Sequence, residues 1–267
     1  MIKTFKYMNL AFFLLMICIN VLANTLPLGQ GNTGSISAKY PNLYTPAPIT
    51  FSIWGVIYLL VGFFIIVQLG LFSTHPFGES LVNLIGPWFI ISCIMNIGWI
   101  FSWHYDITWL SLIFMLGLLV SLLVITSNIS PVMLAHETSI KSIPIPIRIC
   151  MYAFDIYLGW IIAATIANVS VLLVKINWNR FGLSEEFWTI VVLFVATFLG
   201  MFFIFRARRY MTSLAIIWAF CGILINHISQ NGYGGSHPFI IIATIVGIFL
   251  ILIVAVSNLI MGATANT

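Results

Sequence analysis

The chain has 267 residues, of which 61% are hydrophobic and only 6% carry a charge at neutral pH. An ordinary soluble domain contains about 25% charged residues, so a water-soluble globule of this size could not cover its surface. The composition therefore excludes a soluble enzyme, a nucleic-acid-binding domain and a disordered protein. It indicates a polytopic protein whose main partner is the lipid bilayer.

Apolar segments recur along the chain at the length that a membrane-spanning helix requires. About 20 apolar residues cross the hydrocarbon layer of a bilayer. Eight segments reach or approach this length, at 7–24, 49–72, 86–104, 108–127, 147–174, 187–206, 211–228 and 238–260. We therefore predict an all-α polytopic membrane protein with about eight transmembrane helices.

The positions of Lys and Arg predict how these spans are oriented, because cytoplasmic loops carry an excess of both residues. With a cytoplasmic N-terminus, seven basic residues lie inside: Lys3, Lys6, Lys141, Arg148, Arg206, Arg208 and Arg209. Three lie outside: Lys39, Lys175 and Arg180. This pattern predicts cytoplasmic N- and C-termini, in what we expect to be a bacterial cytoplasmic membrane. Residues 1–23 also fit a cleaved secretory signal, which would leave seven spans.

Aromatic and amide side chains repeat at helical spacing within three of the spans. The sets are Trp54 and Tyr58; Asn96, Trp99 and Trp103; and Tyr157, Trp160, Ala164 and Asn168. Each set lies along one helix face, and asparagine in hydrocarbon is costly without a partner. We expect these faces to point inward. They either form a flat-walled pocket for a planar or sterol-like ligand or only hold the helices together.

Three motifs carry a family resemblance. They are Pro46-Ala-Pro-Ile-Thr-Phe-Ser-Ile-Trp-Gly-Val-Ile-Tyr58, Asn96-Ile-Gly-Trp99 followed by Trp103, and Tyr157-Leu-Gly-Trp160-Ile-Ile-Ala-Ala164-Thr-Ile-Ala-Asn168. In this order they resemble the second, third and fifth helices of the TspO/MBR family, the tryptophan-rich sensory or translocator proteins. The chain departs from that pattern at Ile49, Ser92 and Ile156, where the family has Trp, Gln and Pro, and it lacks one residue between Phe51 and Trp54.

The resemblance implies a TspO-like five-helix core within residues 1–175, with the first helix retained. Residues 176–267 would then add three transmembrane helices of unknown role. It also implies an intramembrane aromatic pocket that binds a porphyrin, haem or a sterol-like molecule, with no obligatory cofactor, in a sensory, regulatory or transport role. The implied ligand-binding residues are Trp54, Tyr58, Asn96, Trp99, Trp103, Tyr157, Trp160, Ala164 and Asn168. The first loop, residues 25–48, would act as a lid.

Two other functions remain open. Asp155 is the only acidic residue inside a predicted span, so a proton-coupled secondary transporter is one alternative; an interfacial position near Arg148 is the simpler interpretation. The resemblance implies the other, light-dependent porphyrin degradation by the clustered tryptophans, although we expect a binding protein rather than an enzyme.

Smaller signals bear on partners and metals. Gly159, Ala163 and Ala167 form a stripe of small residues that can seat a neighbouring helix or a second protomer, so a homodimer is an option. Histidines at 104, 227 and 237 are candidate ligands for haem iron or a metal ion, but a polar cap or a solvated loop explains them more simply. No metal site is predicted.

Overall fold

The protein is described here from a computed structural model, which describes residues 2–26, 31, 33–71, 77–135 and 143–264. Lys141 and residues 27–30 and 32 of the predicted lid lie outside the described residues. The helices are α1 Ile2–Thr25, α2 Thr33–Ala38, α3 Ile53–Gln68, α4 Phe77–Ile85, α5 Trp88–His104, α6 Thr108–Ala135, α7 Ile145–Lys175, α8 Glu185–Ala207, α9 Tyr210–Ile228 and α10 Pro238–Thr264. Short 3₁₀ turns cover Pro48–Ser52 and Arg180–Gly182.

The helices have the length and composition of membrane spans. Seven are long and apolar enough to cross a bilayer, and the number rises to eight if the bent pair α4–α5 counts as one span. The two helices of that pair meet at an angle of 57°. The described residues contain no strand. The prediction of an all-α polytopic membrane protein is therefore confirmed.

Local interactions determine where α8 begins and ends. Ser184 caps the helix, because its hydroxyl accepts a hydrogen bond from the backbone N–H of Phe187 at 3.1 Å. Two glutamates in the first turn complement the positive end of the helix dipole. Arg208 ends the helix in a left-handed conformation with φ of 48°, so α9 turns back along α8.

Helix α7 occupies the centre of the bundle. It packs against α3 and α6 on the core side and against α9 on the other side, while α8 and α10 pack mainly on α9 and on each other. A Cβ atom on Gly159 would approach the carbonyl group of Thr212 and come within 2.8 Å of the Cβ atom of Ala215, both on α9. The small residue at 159 therefore seats a helix of the same chain.

A buried ion pair lies where α7 meets the junction of α8 and α9. The guanidinium of Arg209 donates to the carboxylate of Asp155 at 2.6 Å and also to the backbone carbonyl of Thr126 on α6. Asp155 is only 2% exposed. The structure pairs Asp155 with Arg209, a cation 54 positions later in the chain, at the junction of α8 and α9.

Candidate ligand-binding site

Trp54 of α3 lies at the centre of an aromatic cluster formed with α5 and α7. Its ring stacks on the rings of Tyr58 and Trp99, with centroids 5.4 and 5.5 Å apart. It also meets Tyr157 and Trp160 edge-on, at 5.8 and 6.2 Å. The helical spacing that aligned these residues on three helices therefore brings them into one cluster.

Two cavities adjoin this cluster. The smaller has a volume of about 30 Å³, which accommodates only one or two water molecules. The larger has a volume of about 380 Å³. Thr33, Phe51, Trp54 and Trp99 line both cavities, so their side chains form the wall between the two.

The predicted site residues divide into two groups. Seven line a cavity: Trp54, Trp99, Trp103, Trp160, Ala164 and Asn168 line the smaller one, and Tyr58 lines the larger one together with Trp54 and Trp99. The other two, Asn96 and Tyr157, line neither cavity. Both are buried behind the aromatic rings, where they belong to a hydrogen-bond network.

That network connects four helices of the core, α1, α3, α5 and α7. The Nδ2 atom of Asn20 donates to Oδ1 of Asn96 at 2.7 Å, and the hydroxyl of Tyr58 donates to Oδ1 of Asn20 at 2.8 Å. The Nδ2 atom of Asn96 donates to the hydroxyl of Tyr157 at 3.1 Å. Asn20 was missed by the sequence analysis, although an asparagine within an apolar span is itself a signal. The network fixes the positions of the amide groups and leaves the indole rings as the inner surface.

Two buried donors of the cluster have no partner. The indole N–H groups of Trp99 and Trp160 make no hydrogen bond to any of the described residues, and each side chain is 3% exposed. By contrast, the indole of Trp103 donates to the carbonyl of Thr33 at 3.1 Å. An unsatisfied buried donor costs about 1–3 kcal/mol, so these two N–H groups are the unsatisfied polar atoms of the aromatic cluster.

The segment 42–50 passes over this site and is held by α9. The carbonyl of Gly222 accepts from the backbone N–H of Ala47, and the indole of Trp218 donates to the carbonyl of Thr50, both at 2.9 Å. Asn226 donates to the carbonyl of Thr45 at 2.9 Å. The residues at 218, 222 and 226 are four apart, so one face of α9 fastens the segment.

Two further bonds extend this attachment. His227 donates to the carbonyl of Leu43 at 2.9 Å, and the hydroxyl of Tyr233 donates to the carbonyl of Asn42 at 3.0 Å. Ala219 and Ile223 of α9 line the smaller cavity. From sequence, residues 176–267 were expected to form three helices of unknown role. In the structure, one face of α9 holds the segment 42–50 through Trp218, Gly222 and Asn226.

Lys39 and Tyr40, which come just before this segment, are held by a carboxylate. Asp106 lies between α5 and α6 and accepts from Lys39 at 2.6 Å, from Lys175 at 3.0 Å and from the hydroxyl of Tyr40 at 2.8 Å. Burial of Asp106 opposes its ionisation, but the hydrogen bonds from Lys39, Tyr40 and Lys175 outweigh this effect and lower its pKa to about 2. The carboxylate therefore stays charged at any physiological pH.

This cluster gives stability a defined dependence on pH. An aspartate whose pKa falls on folding stabilises the protein above its unfolded pKa of about 4, and this contribution disappears as the pH falls through about 2. We expect the Asp106→Asn variant to have a Tm about 2–4 °C lower than the wild type at pH 6. The difference should shrink between pH 4 and pH 2, as measured by thermal unfolding in detergent. A difference that stays constant over this range would contradict the assignment.

The histidines take structural positions. His104 is buried and its Nδ1 atom is 2.9 Å from the carbonyl of Ile100, His227 binds Leu43 as described above, and His237 lies 3.8 Å from Glu186. Within the described part of the chain, no group of three or more His, Cys, Asp or Glu residues is placed to hold a metal ion.

Comparison with known proteins places the chain in a family. No curated protein and no solved structure was found to match it. A family model described as TSPO-like protein matches residues 6–257. The match includes α8, α9 and most of α10, so the helices that fasten the segment 42–50 are part of the matched region. Because the match covers far more than half of the chain, the chain belongs to the TSPO-like protein family.

Proposed function

We propose that this membrane protein binds a hydrophobic planar ligand, a tetrapyrrole or a sterol-like molecule, among the aromatic side chains of α3, α5 and α7. The observation that carries the proposal is the pair of unpartnered indole N–H groups, on Trp99 and Trp160, within a wall of flat rings. The ligand serves a sensory, regulatory or transport role.

The packing of the rings supports a planar ligand. Trp54 fills the space between Trp99 and Trp160 by stacking and edge contacts, and a flat molecule can replace these ring-to-ring contacts with equivalent ones. The cavity of about 380 Å³ beside Trp54 falls within the range typical of small-molecule sites. A porphyrin combines a flat body with carboxylate acceptors, which meets both requirements of the site.

The state of Asp155 supports a binding role over proton-coupled transport. A proton carrier needs a carboxylate that can release and regain a proton as the transporter cycles. Asp155 is instead fixed to Arg209 by a hydrogen-bonded ion pair at 2.6 Å, and both side chains are at least 95% buried. This arrangement holds helices together.

Removal of the two donors tests the proposal. Each of Trp99→Phe and Trp160→Phe keeps an aromatic ring but removes an N–H group that would bind a carboxylate. We expect either variant to bind protoporphyrin about tenfold more weakly, since a hydrogen bond to a charged group contributes about 1.5–3 kcal/mol. The measurement is a fluorescence titration of purified protein in detergent.

Trp109→Phe is the matched control, because Trp109 is exposed and lines neither cavity. It should bind as tightly as the wild type. Equal affinity of all three variants and the wild type would show that the indole N–H groups of the cluster do not contact the ligand.

A further inference from the structure

A second large cavity lies outside the aromatic site, between α7 and α8. Its volume is about 750 Å³. It forms because α8 packs mainly on α9 and α10 and makes few contacts with α7. We name this cavity the α7–α8 groove. Its walls are formed by Thr165, Ile166, Val169, Ser170, Leu173 and Val174 of α7 and by Thr189 and Val192 of α8.

The groove lies on a surface that has the composition of a lipid-facing one. Val169 and Val174, which line it, are each 36% exposed, and Phe187 in the first turn of α8 is 46% exposed. Large apolar side chains that stay exposed on membrane-spanning helices contact acyl chains. An apolar, flexible chain from the surrounding bilayer therefore matches the walls of the groove.

One end of the groove carries the groups that meet a lipid headgroup. Trp178 and Trp188 lie there with ring centroids 5.2 Å apart, and the indole of Trp188 donates to the carbonyl of Arg180 at 2.9 Å. Tryptophan is enriched at the boundary between hydrocarbon and water. This end of the groove therefore lies at headgroup depth.

The charges at this end are balanced. Arg180 and Glu185 both line the groove, lie 3.4 Å apart, and have side chains that are 47% and 38% exposed. The Oε1 atom of Glu185 also accepts from the backbone N–H of Leu43 at 2.9 Å. A guanidinium has five N–H donors and a carboxylate has about four acceptor positions, so these bonds still leave sites on each. A zwitterion satisfies both, with an anionic group at Arg180 and a cationic group at Glu185, whereas a purely anionic headgroup is repelled by Glu185.

The inner wall of the groove includes a residue that it shares with the aromatic site. Tyr44 lines the groove as well as the smaller aromatic cavity. Its hydroxyl is buried and has no partner among the described residues, although the residue is only 3% exposed.

We infer that the α7–α8 groove binds one zwitterionic phospholipid, with an acyl chain between α7 and α8, the phosphate at Arg180 and the ammonium group at Glu185. This site is separate from the aromatic cluster and does not depend on the ligand proposed there.

The test is native mass spectrometry of the full chain in detergent, with palmitoyl-oleoyl phosphatidylcholine or the phosphatidylglycerol that has the same chains. We expect the wild type to retain one phosphatidylcholine in preference to phosphatidylglycerol. Arg180→Gln removes the phosphate contact, and Val169→Trp fills the groove. Each should lower retention about tenfold, as expected for the loss of one charge-assisted bond or for an overfilled site.

Two matched variants control for changes in the bulk lipid shell. Arg206 lies exposed in the last turn of α8, and Val195 is exposed on α8 outside the groove. Arg206→Gln and Val195→Trp should retain phosphatidylcholine as the wild type does. Equal retention of the two lipids by the wild type, a preference for phosphatidylglycerol, or retention unchanged in both groove variants would each overturn the inference.

Discussion

Replacement of Asp155 by leucine is expected to lower the free energy of unfolding by about 3–5 kcal/mol, because it leaves the guanidinium of Arg209 buried without a counter-charge. Arg209 is 4% exposed and contacts α6 and α7 from the junction of α8 and α9. The Asp155→Leu/Arg209→Leu double variant should recover most of the loss, since apolar side chains replace a buried ion pair at little cost. Thermal unfolding of the three proteins in detergent measures both effects.

An exposed ion pair provides the matched comparison. Arg180 and Glu185 lie 3.4 Å apart with both side chains well exposed, and such pairs contribute about 1 kcal/mol or less. Arg180→Leu should therefore shift the unfolding transition far less than Asp155→Leu. If Asp155→Leu is as stable as the wild type, or if the double variant is less stable than Asp155→Leu, the ion pair does not hold α7 to the α8–α9 junction.

Replacement of Gly222 by valine is expected to release the segment 42–50 from α9. A Cβ atom at this position would come within 2.6 and 2.8 Å of the Cγ2 and Cβ atoms of Thr50, which is 1% exposed and has little room to move. The displaced segment would also lose the bond from Ala47 to the carbonyl of Gly222. Loss of that bond should raise hydrogen exchange of the Ala47 amide about tenfold.

Gly55 supplies the control for this variant. A Cβ atom on Gly55 has no neighbour within 4 Å, so Gly55→Val tests the effect of valine on a helix without the clash. Exchange across 42–50 should match the wild type in Gly55→Val and rise in Gly222→Val. Unchanged exchange in both variants would mean that α9 does not fasten the segment.

The positions of the spans and the inward faces of the helices could be predicted because both depend on patterns within a short stretch of sequence. Span positions follow from continuous apolar runs, which need no knowledge of neighbouring helices. The inward faces of α3, α5 and α7 follow from residues three, four and seven positions apart, as with Asn96, Trp99 and Trp103. These rules place the aromatic side chains on the correct faces before any packing is known.

The features that the sequence did not reveal depend on contacts between distant residues. Asp155 and Arg209 are 54 positions apart, and the hydrogen bond from Asn226 to the carbonyl of Thr45 joins residues 181 positions apart. Neither contact produces a recognisable pattern in the sequence around the two residues. The division of the site into two cavities by Trp54 likewise depends on side-chain rotamers, which hydropathy and periodicity do not specify.

The last three helices, α8, α9 and α10, contribute to the aromatic site through the segment 42–50, which is attached to α9. α9 supplies Ala219 and Ile223 to the smaller cavity and, through Trp218, holds the carbonyl of Thr50 at 2.9 Å. α8 and α10 support α9 from its other side. We therefore expect the aromatic site to depend on these helices for its closed shape.

The most direct test of the account is a titration of the wild type and Ala164→Phe with protoporphyrin, followed by tryptophan fluorescence in detergent. Ala164 lines the smaller cavity, and a phenyl ring there takes up the space that the ligand needs. Val195→Phe, an exposed change on α8, serves as the control. The account predicts saturable binding of one molecule per chain by the wild type and the control, and a loss of about tenfold or more in Ala164→Phe. No saturable binding by the wild type, or equal affinity in Ala164→Phe, would contradict it.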